Sequence, residues 1–463
     1  MTIGPLSLLF ASELFASVVG FGVMVRLALR LGPSGFADFE YASAVAAWWL
    51  VTVRGGFDAI VYREAARRPR LVRPLTDVLI GLRIASAAVG LAAVVAVAMA
   101  SGPARGRAVM AAGLVLIPSA MATDVGLRAS GRLGGLAMAQ ALRAVGLAVA
   151  AGWLVAGPGH AAVASGCVVA AEVVSTSILL GIHASGHGLP RPRFRRRAWA
   201  AVARRGAIAG AMRFGRVSLY AADIVALGAW SASTGLGPYA AARRLAFALL
   251  ALGLVVPSAV APRIARAWAS GAGEAREVIG RTFRVLATLS LPATVGLMMT
   301  AGRWMPGLFG DGYREGGPWL ALIVARLPFV LASNVQQAAL VACRREGWAF
   351  RLVLGMSALG AASIPASAMM FGPWGVGASA LGVEVAGAVA GWLALRRLGL
   401  APDWHHAAGP AAWGCVGMAA VCRLGRAWPL GEVVILGALA YAAVVATLGA
   451  ARRPDRAAGG PGR

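Results

Sequence analysis

An all-α, polytopic membrane protein of about fourteen helices is the fold class this sequence predicts, and three observations predict it. Of its 463 residues, 59% are hydrophobic and 13% charged, where soluble domains carry about 25% charged residues. Mean hydropathy is +0.73. Apolar segments of about 20 residues, the length that crosses a hydrocarbon core, recur along the whole chain. No polar stretch is long enough to make a separate soluble domain.

The spans follow in order. Residues 5–25 form the first; nothing before Arg26 supplies the basic region of a signal peptide, so this helix is read as retained. A Gly/Pro turn, Leu31-Gly32-Pro33-Ser34-Gly35-Phe36-Ala37, leads to the second at 40–62. Spans at 76–99, 108–127, 134–156 and 160–183 complete a first set of six. The longest polar connection, Ala184 to Arg205, comes next and holds Arg191, Arg193, Arg195, Arg196, Arg197, Arg204 and Arg205. A second set starts at 206–230 and passes a similar turn, Ser233-Thr234-Gly235-Leu236-Gly237-Pro238-Tyr239, into an Ala-rich span at 239–262. It continues at 282–301, 317–341, 351–371 and 375–395, and two more spans, 407–422 and 429–450, end the chain. The thirteenth is short and rich in small residues, which leaves twelve as the alternative count. Trp48, Trp49, Trp304, Trp319, Trp374 and Trp428 lie near span ends, where indole rings anchor at the interface.

The two similar turns and the basic central connection imply two six-helix bundles. The expected organisation is an N-terminal lobe over 1–183, a cytoplasmic linker over 184–205, a C-terminal lobe over 206–398, and two extra helices with a basic tail over 399–463. Transporters built from two halves carry their substrate site between them.

The formal charge is +26, and all 44 basic residues are arginine. Their placement decides what this means. Counting Arg284 and Arg351, at the leading edges of their spans, with the adjoining loops, twenty-eight lie in loops after even-numbered spans or in the C-terminal tail, eight in loops after odd-numbered spans, and eight deeper inside spans. The asymmetry puts both termini in the cytoplasm and argues for membrane lipid, not nucleic acid, as the partner. Arg26 and Arg30 after the first span oppose it locally but are outweighed by the other loops. The four cysteines, Cys167, Cys343, Cys415 and Cys422, are scattered with no CxxC and are expected to pack as small apolar residues.

The eight arginines inside spans are Arg54, Arg83, Arg143, Arg213, Arg216, Arg243, Arg244 and Arg326. Each costs about 2.5–3.5 kcal/mol at the bilayer centre on the most lenient scale. Such residues must pair, snorkel or line a wet cavity, and a cluster lining one cavity suits an anionic substrate. Arg213, Arg216, Tyr220 and Asp223 recur at helical spacing and make one face of the seventh span polar. That face either holds an anion at Arg216 and a coupling cation at Asp223, or joins interhelical salt bridges while Arg213 snorkels. Arg54 and Asp58 are spaced for an intrahelical ion pair. Arg83 and Arg143 are candidates for the cavity wall, or for pairing with Asp124 or Glu172. Arg326, Ser333, Asn334 and Gln337 share a face of the tenth span that suits sugar hydroxyls or interhelical hydrogen bonds. Of Arg243 and Arg244, adjacent residues that cannot share a face, at least one is expected to snorkel. Asp58, Asp223, Glu172 and Glu384 are the candidate proton or sodium sites, with pairing to an arginine as the other role. His183 and His187 have the spacing of a metal pair but no third ligand, and His405-His406 is no stronger, so no metal is expected. There is no P-loop and no nucleophile elbow.

The segments "RLGPSGFADFEYASAVAAW" and "GGFDAIVYREAARRPR" resemble the first two helices of polysaccharide-biosynthesis flippases, which move lipid-linked O-antigen units. "YAADIVALGAWSASTGLGPYAAARRLAFALLALGLVVPSAVAPRIARAW" resembles the seventh and eighth. These flippases belong to the multidrug/oligosaccharidyl-lipid/polysaccharide exporter superfamily. Ala37-Asp38 departs from the pattern, which often has glycine there followed by a small or aromatic residue. The resemblance implies a MATE-like fold and a transporter rather than an enzyme. It implies a bacterial cytoplasmic membrane location and a substrate of oligosaccharide on polyprenyl pyrophosphate, moved by alternating access. No cofactor is expected; drive comes from a coupled ion, sodium or a proton, or from the membrane potential or consumption of the product outside, and polysaccharide polymerase machinery is an expected partner. Two alternatives stand beside it. One is a peptidoglycan-precursor or multidrug exporter of the same fold. The other is a membrane glycosyltransferase or polymerase, against which the longest outer loop argues, because Ala301 to Gly316 holds only Asp311 and Glu315 as acids.

Overall fold

The computed structural model describes residues 5–230 and 235–451. Ser233-Thr234 of the second turn, the basic tail from Arg452, and the side chains of His405 and His406 lie outside the described residues. Among the described residues all regular structure is helical. Within the described residues nine helical stretches are long and apolar enough to cross a membrane, and the chain is a multi-pass membrane protein.

The first helices are α1 (Pro5–Arg54), α2 (Phe57–Arg67), α3 (Val72–Ala100), α4 (Pro103–Gly113), α5 (Leu116–Met121), α6 (Asp124–Ala129), α7 (Leu133–Leu154), α8 (Ala161–His187) and α9 (Arg196–Trp230). After the second turn come α10 (Leu236–Ser270), α11 (Ala272–Phe309), α12 (Gly316–Ala325), α13 (Leu327–Ala342), α14 (Glu346–Arg397), α15 (Trp404–Leu424) and α16 (Leu430–Ala451).

Two of these are pairs of rods. α1 bends at Gly32 (φ 64°, ψ 177°), followed by Pro33. α14 bends at Gly372 (φ 55°, ψ −139°), followed by Pro373. Glycine adopts positive φ without a Cβ penalty, and proline then supplies no amide to continue the ladder. Other rods are broken. Gly55-Gly56 interrupts the second between α1 and α2, the fourth is split into α4, α5 and α6, and the tenth into α12 and α13. Counted as rods, the described helices number fourteen, and the short thirteenth span is a 21-residue helix, α15.

The largest departures from the expected boundaries are at helix starts: the seventh span begins ten residues early, at Arg196, and the ninth ten residues early, at Ala272. The run Arg196 to Arg205 is rich in alanine and arginine, both good helix formers. The non-helical connection therefore shrinks to 188–195.

The chain packs as two compact units, Met1–Ala241 with Ala361–Pro373, and Ala242–Gly360 with Trp374–Arg463. In the first, α9 packs on α1 and α2. A Cβ on Gly56 would sit 2.6 Å from Gly210 Cα and 2.7 Å from Gly206 O, so this crossing is backbone against backbone. Val61, Leu79 and Val125 form one core cluster here, and Leu127, Leu136, Ala139 and Leu179 another. In the second unit Ala411, Cys415, Met418, Cys422, Val433 and Tyr441 join α15 to α16, with Ala287, Leu291 and Val295 of α11 against them. All four cysteines are buried free thiols.

Candidate functional site

The charged residues of the first unit gather around the broken rods. Arg54 is the last residue of α1, at the Gly55-Gly56 break. Its Nη2 donates to Glu172 Oε1 at 2.9 Å, while Arg143 Nη1 from α7 donates to Glu172 Oε2 at 3.1 Å. Ser119 Oγ of α5 adds a longer contact to Oε1 at 3.4 Å. Each oxygen of one carboxylate thus takes one guanidinium. Glu172 lies roughly 17 Å along α8 from its first residue, deep within an apolar helix. The glutamate side chain is 11% exposed, Arg54 27% and Arg143 48%. Arg143, Glu172, Ser43 and Ser165 line a cavity of about 160 Å³ between the second, fourth, fifth and sixth rods, with Leu50 and Val168 among its apolar walls. Two donors at this cluster have no acceptor: the buried Ser165 hydroxyl and Arg54 Nε.

The expected Arg54–Asp58 pair does not form. The i, i+4 register holds only within a continuous helix, and Gly55-Gly56 breaks it. Asp58 instead receives Arg83 Nη2 at 2.6 Å. Arg83 is 0% exposed. Its Nη1 donates to Ala122 O at 2.6 Å and lies 3.7 Å from Asp124 Oδ1. That carbonyl is free because Ala122 is extended (ψ 128°) between α5 and α6. Arg83 is therefore an internal tie through both terminal nitrogens, wholly covered, with only its Nε left without an acceptor.

Two further ties, and one more buried acid, were not foreseen from the sequence. Arg105 Nε donates to Asp38 at 2.8 Å and Nη1 to Gly228 O at 2.7 Å, with the guanidinium 5.0 Å over the Tyr41 ring. Asp77, buried at the start of α3, accepts from Arg191 N at 2.8 Å and pairs with Arg193 Nε at 3.4 Å. Asp77 O also accepts from Arg193 N at 3.0 Å, which straps the connection 188–195 to α3. Glu40 is 1% exposed in the second rod. The signals were available, since Asp38, Glu40 and Asp77 lie in or beside apolar spans, but nothing in their local spacing names a partner.

On α9, Arg216 Nη1 lies 3.4 Å from Tyr220 Oη, one turn away, and Asp223 is fully buried with Oδ1 accepting from Ile224 N at 2.8 Å. Arg213 is exposed. In the second unit, Arg243 and Arg326 both lie over the Phe247 ring, at 4.7 and 5.2 Å. Arg326 occupies the junction between α12 and α13. Ser333 and Gln337 are buried about two and three turns further along α13, Asn334 is half-buried, and Glu384 is buried in α14. Gln336, which the sequence pattern did not single out, donates to Ala388 O at 3.0 Å. His183 and His187 stack on each other with centroids 5.0 Å apart.

Residues 23–318 match the family described as "Polysaccharide biosynthesis protein". Among solved structures the chain resembles "Lipid II flippase MurJ, inward closed conformation", with TM-score 0.75 and 12% identity, covering 95% of this chain and 98% of that one. It also resembles an inward-facing multidrug resistance MATE family transporter of the MOP superfamily, with TM-score 0.63 and 13% identity, covering 83% of this chain and 94% of that one. No curated protein matches by sequence. At these identities the structural likeness establishes the fold.

Proposed function

The chain belongs to the polysaccharide biosynthesis protein family, within a superfamily of flippases and transporters rather than enzymes, and on that premise we propose that it flips oligosaccharide linked to polyprenyl pyrophosphate across the bacterial cytoplasmic membrane, with both termini cytoplasmic. The observation that carries the reading is the Arg54–Glu172–Arg143 cluster, deep in apolar helices and bordering a cavity. A guanidinium is always charged and presents a fork of donors that matches a phosphate oxygen pair. Two of them within reach of one small anion are placed to hold a pyrophosphate. Arg216 with Tyr220 in the first unit, and Arg326, Asn334 and Gln337 in the second, are the further donors to test, each set by itself, against phosphate and sugar hydroxyls. Asp58, Asp223, Glu172 and Glu384 are the carboxylates to test for coupling to sodium or protons, and polysaccharide polymerase machinery is the partner such a flippase would feed.

Alternating access supplies the movement: the sugar head crosses while the prenyl tail stays in lipid. A second reading, flipping of a peptidoglycan precursor, is favoured by the TM-score of 0.75 to the lipid II flippase. Both substrates carry a polyprenyl pyrophosphate, so the arginines serve either. The test is a liposome flipping assay with fluorescent sugar-linked polyprenyl pyrophosphate and, in parallel, fluorescent lipid II. Wild type moves the first faster than the second, and Arg54→Ala and Arg143→Ala slow it at least about tenfold, the loss of one charge-assisted contact. Preference for lipid II selects the second reading. Wild-type rates in Arg54→Ala, Arg143→Ala and Arg216→Ala, at normal expression, sink the cationic-site idea.

A further inference from the structure

The geometry points to Glu172 as a resident counter-ion that occupies the phosphate position on Arg54 and Arg143 and is displaced when a phosphate-type oxyanion binds there. The inference rests on the anionic-substrate reading above and adds a specific device to it.

The Arg83 and Glu172 clusters differ in a way that singles out the second. Around Arg83 the guanidinium is wholly covered and meets two carboxylates and a backbone carbonyl. Its Nε has no acceptor, but with no surface exposed and two acids facing one cation an arriving anion has neither access nor an excess of positive charge to meet there. Around Glu172 the balance is reversed, with two guanidiniums facing one carboxylate. The net charge is positive, and the donors outnumber the acceptor atoms. Ser119 already leans on Oε1. Ser165, 1% exposed and bordering the same cavity, has a hydroxyl with no partner, and Arg54 Nε is buried with none. A buried donor without an acceptor is costly, about 1–3 kcal/mol, and a protein keeps such donors where something else will accept from them. A carboxylate offers two oxygens; a phosphate offers more, in the same planar-fork geometry for arginine.

Space and access agree. The cavity of about 160 Å³ would hold a few water molecules at about 30 Å³ each, and so one phosphate-sized group. Arg143 keeps 48% of its side chain exposed, so an anion can reach it before Glu172 has moved. In the free protein the carboxylate keeps the two arginines from repelling each other and from being desolvated without a partner. An arriving phosphate takes over both forks, accepts from Ser165, and releases Glu172 to the cavity side. The same carboxylate then competes for the arginines when the head group must leave. Binding and release become an exchange of one anion for another, and the arginines are never left bare.

The experiment uses the full chain in nanodiscs of zwitterionic lipid, so that no anionic headgroup competes. Inorganic pyrophosphate and farnesyl diphosphate are titrated by calorimetry against wild type, Glu172→Gln, Glu172→Asp, Arg54→Ala and Arg143→Ala. The expected result is at least about tenfold tighter binding to Glu172→Gln, the scale of one charge-assisted contact no longer opposed. Glu172→Asp, which keeps the charge but is too short to bridge both arginines, tightens by a smaller factor and decides the matter if the glutamine variant does not fold. Both arginine variants weaken binding. Tightening toward both probes supports the exchange with the oxyanion alone as the determinant; tightening toward farnesyl diphosphate alone supports it with the lipid-linked form as its source. If wild type binds, the arginine variants weaken binding, and neither Glu172 variant tightens it, the counter-ion inference falls while the anionic site stands. If neither wild type nor any Glu172 variant binds either probe, the anionic-substrate reading falls and takes this inference with it.

Discussion

Arg83→Met is the substitution whose cost follows most directly from the structure. It removes a guanidinium that is 0% exposed and replaces it with an apolar side chain of similar reach. Two contacts of 2.6 Å disappear, one from the Asp58 carboxylate and one from the Ala122 carbonyl. Removing one partner of a buried ion pair costs about 3–5 kcal/mol. A buried carbonyl left without a donor adds about 1–3 kcal/mol. These do not simply add, and two features pull the total down. The Asp58 and Asp124 side chains are each 18% exposed, so both acids regain some solvation. Methionine also fills much of the vacated volume. The expected loss is about 3 kcal/mol, at the low end of the pair term.

The assay is reversible unfolding in mixed micelles followed by tryptophan fluorescence, for which the chain has 14 tryptophans. Asp58→Asn, which keeps an acceptor oxygen but loses the charge, should cost less than Arg83→Met. The double variant should cost less than the two together, because the charges left unpaired by each single change are then reduced by one. A loss below about 1 kcal/mol for Arg83→Met, or strict additivity in the cycle, would refute the view that Arg83 ties the third rod to the breaks in the second and fourth.

Three more outcomes are expected. Gly56→Ala should destabilise by about 1–3 kcal/mol as an overpacked backbone crossing, whereas Gly210→Ala, whose Cβ would meet Gly56 N no closer than 3.2 Å, should cost much less; thermal unfolding in detergent compares them. Asp77→Ala should free the strap 188–195, so that trypsin cuts the Arg193–Phe194 bond about fivefold faster or more, the effect of losing roughly one net hydrogen bond; unchanged cleavage in timed digests would show the strap held by something else. Arg105→Ala and Asp38→Ala should each lower stability and couple by about 0.5–3 kcal/mol in a double-mutant cycle, since each leaves the other charge half-buried without its partner.

Much of this architecture was legible because crossing a membrane demands long apolar runs, and such runs survive in composition alone. The fourteen rods follow from them. The breaks were less visible. Gly55-Gly56 stands in the sequence as two small residues inside an apolar stretch, which membrane helices tolerate elsewhere in this chain without breaking. Its consequence, that Arg54 turns to Glu172 and Asp58 to Arg83, depends on contacts 118 and 25 residues apart, each with another rod. Spacing along one helix cannot report those. Glu172 was visible as an isolated buried acid with an arginine as its expected partner, and the structure supplies two. The strap at Asp77 was hidden for a different reason: a run of arginines reads as a solvated loop, and only the fold shows that Arg191 and Arg193 lie against a buried carboxylate.

The intramembrane arginines make physical sense when sorted by the helix breaks rather than by helix faces. An interrupted helix inside an apolar layer frees backbone groups that lipid cannot satisfy. Arg83 serves one of them directly, the Ala122 carbonyl between α5 and α6. Arg54 stands at the break between α1 and α2, and Arg326 at the junction of α12 and α13. A break is also where the chain turns aside and leaves room, so the places that require a cation for structure are the places where a cavity can open. Burial then separates the roles. Arg83 has no surface left and serves the fold. Arg54 and Arg143 keep a quarter to a half of their side chains open and share a single carboxylate. If the proposed anionic substrate is right, those two would meet it at the cost of exchanging one acceptor for another, and that cost is far smaller than uncovering a cation in lipid.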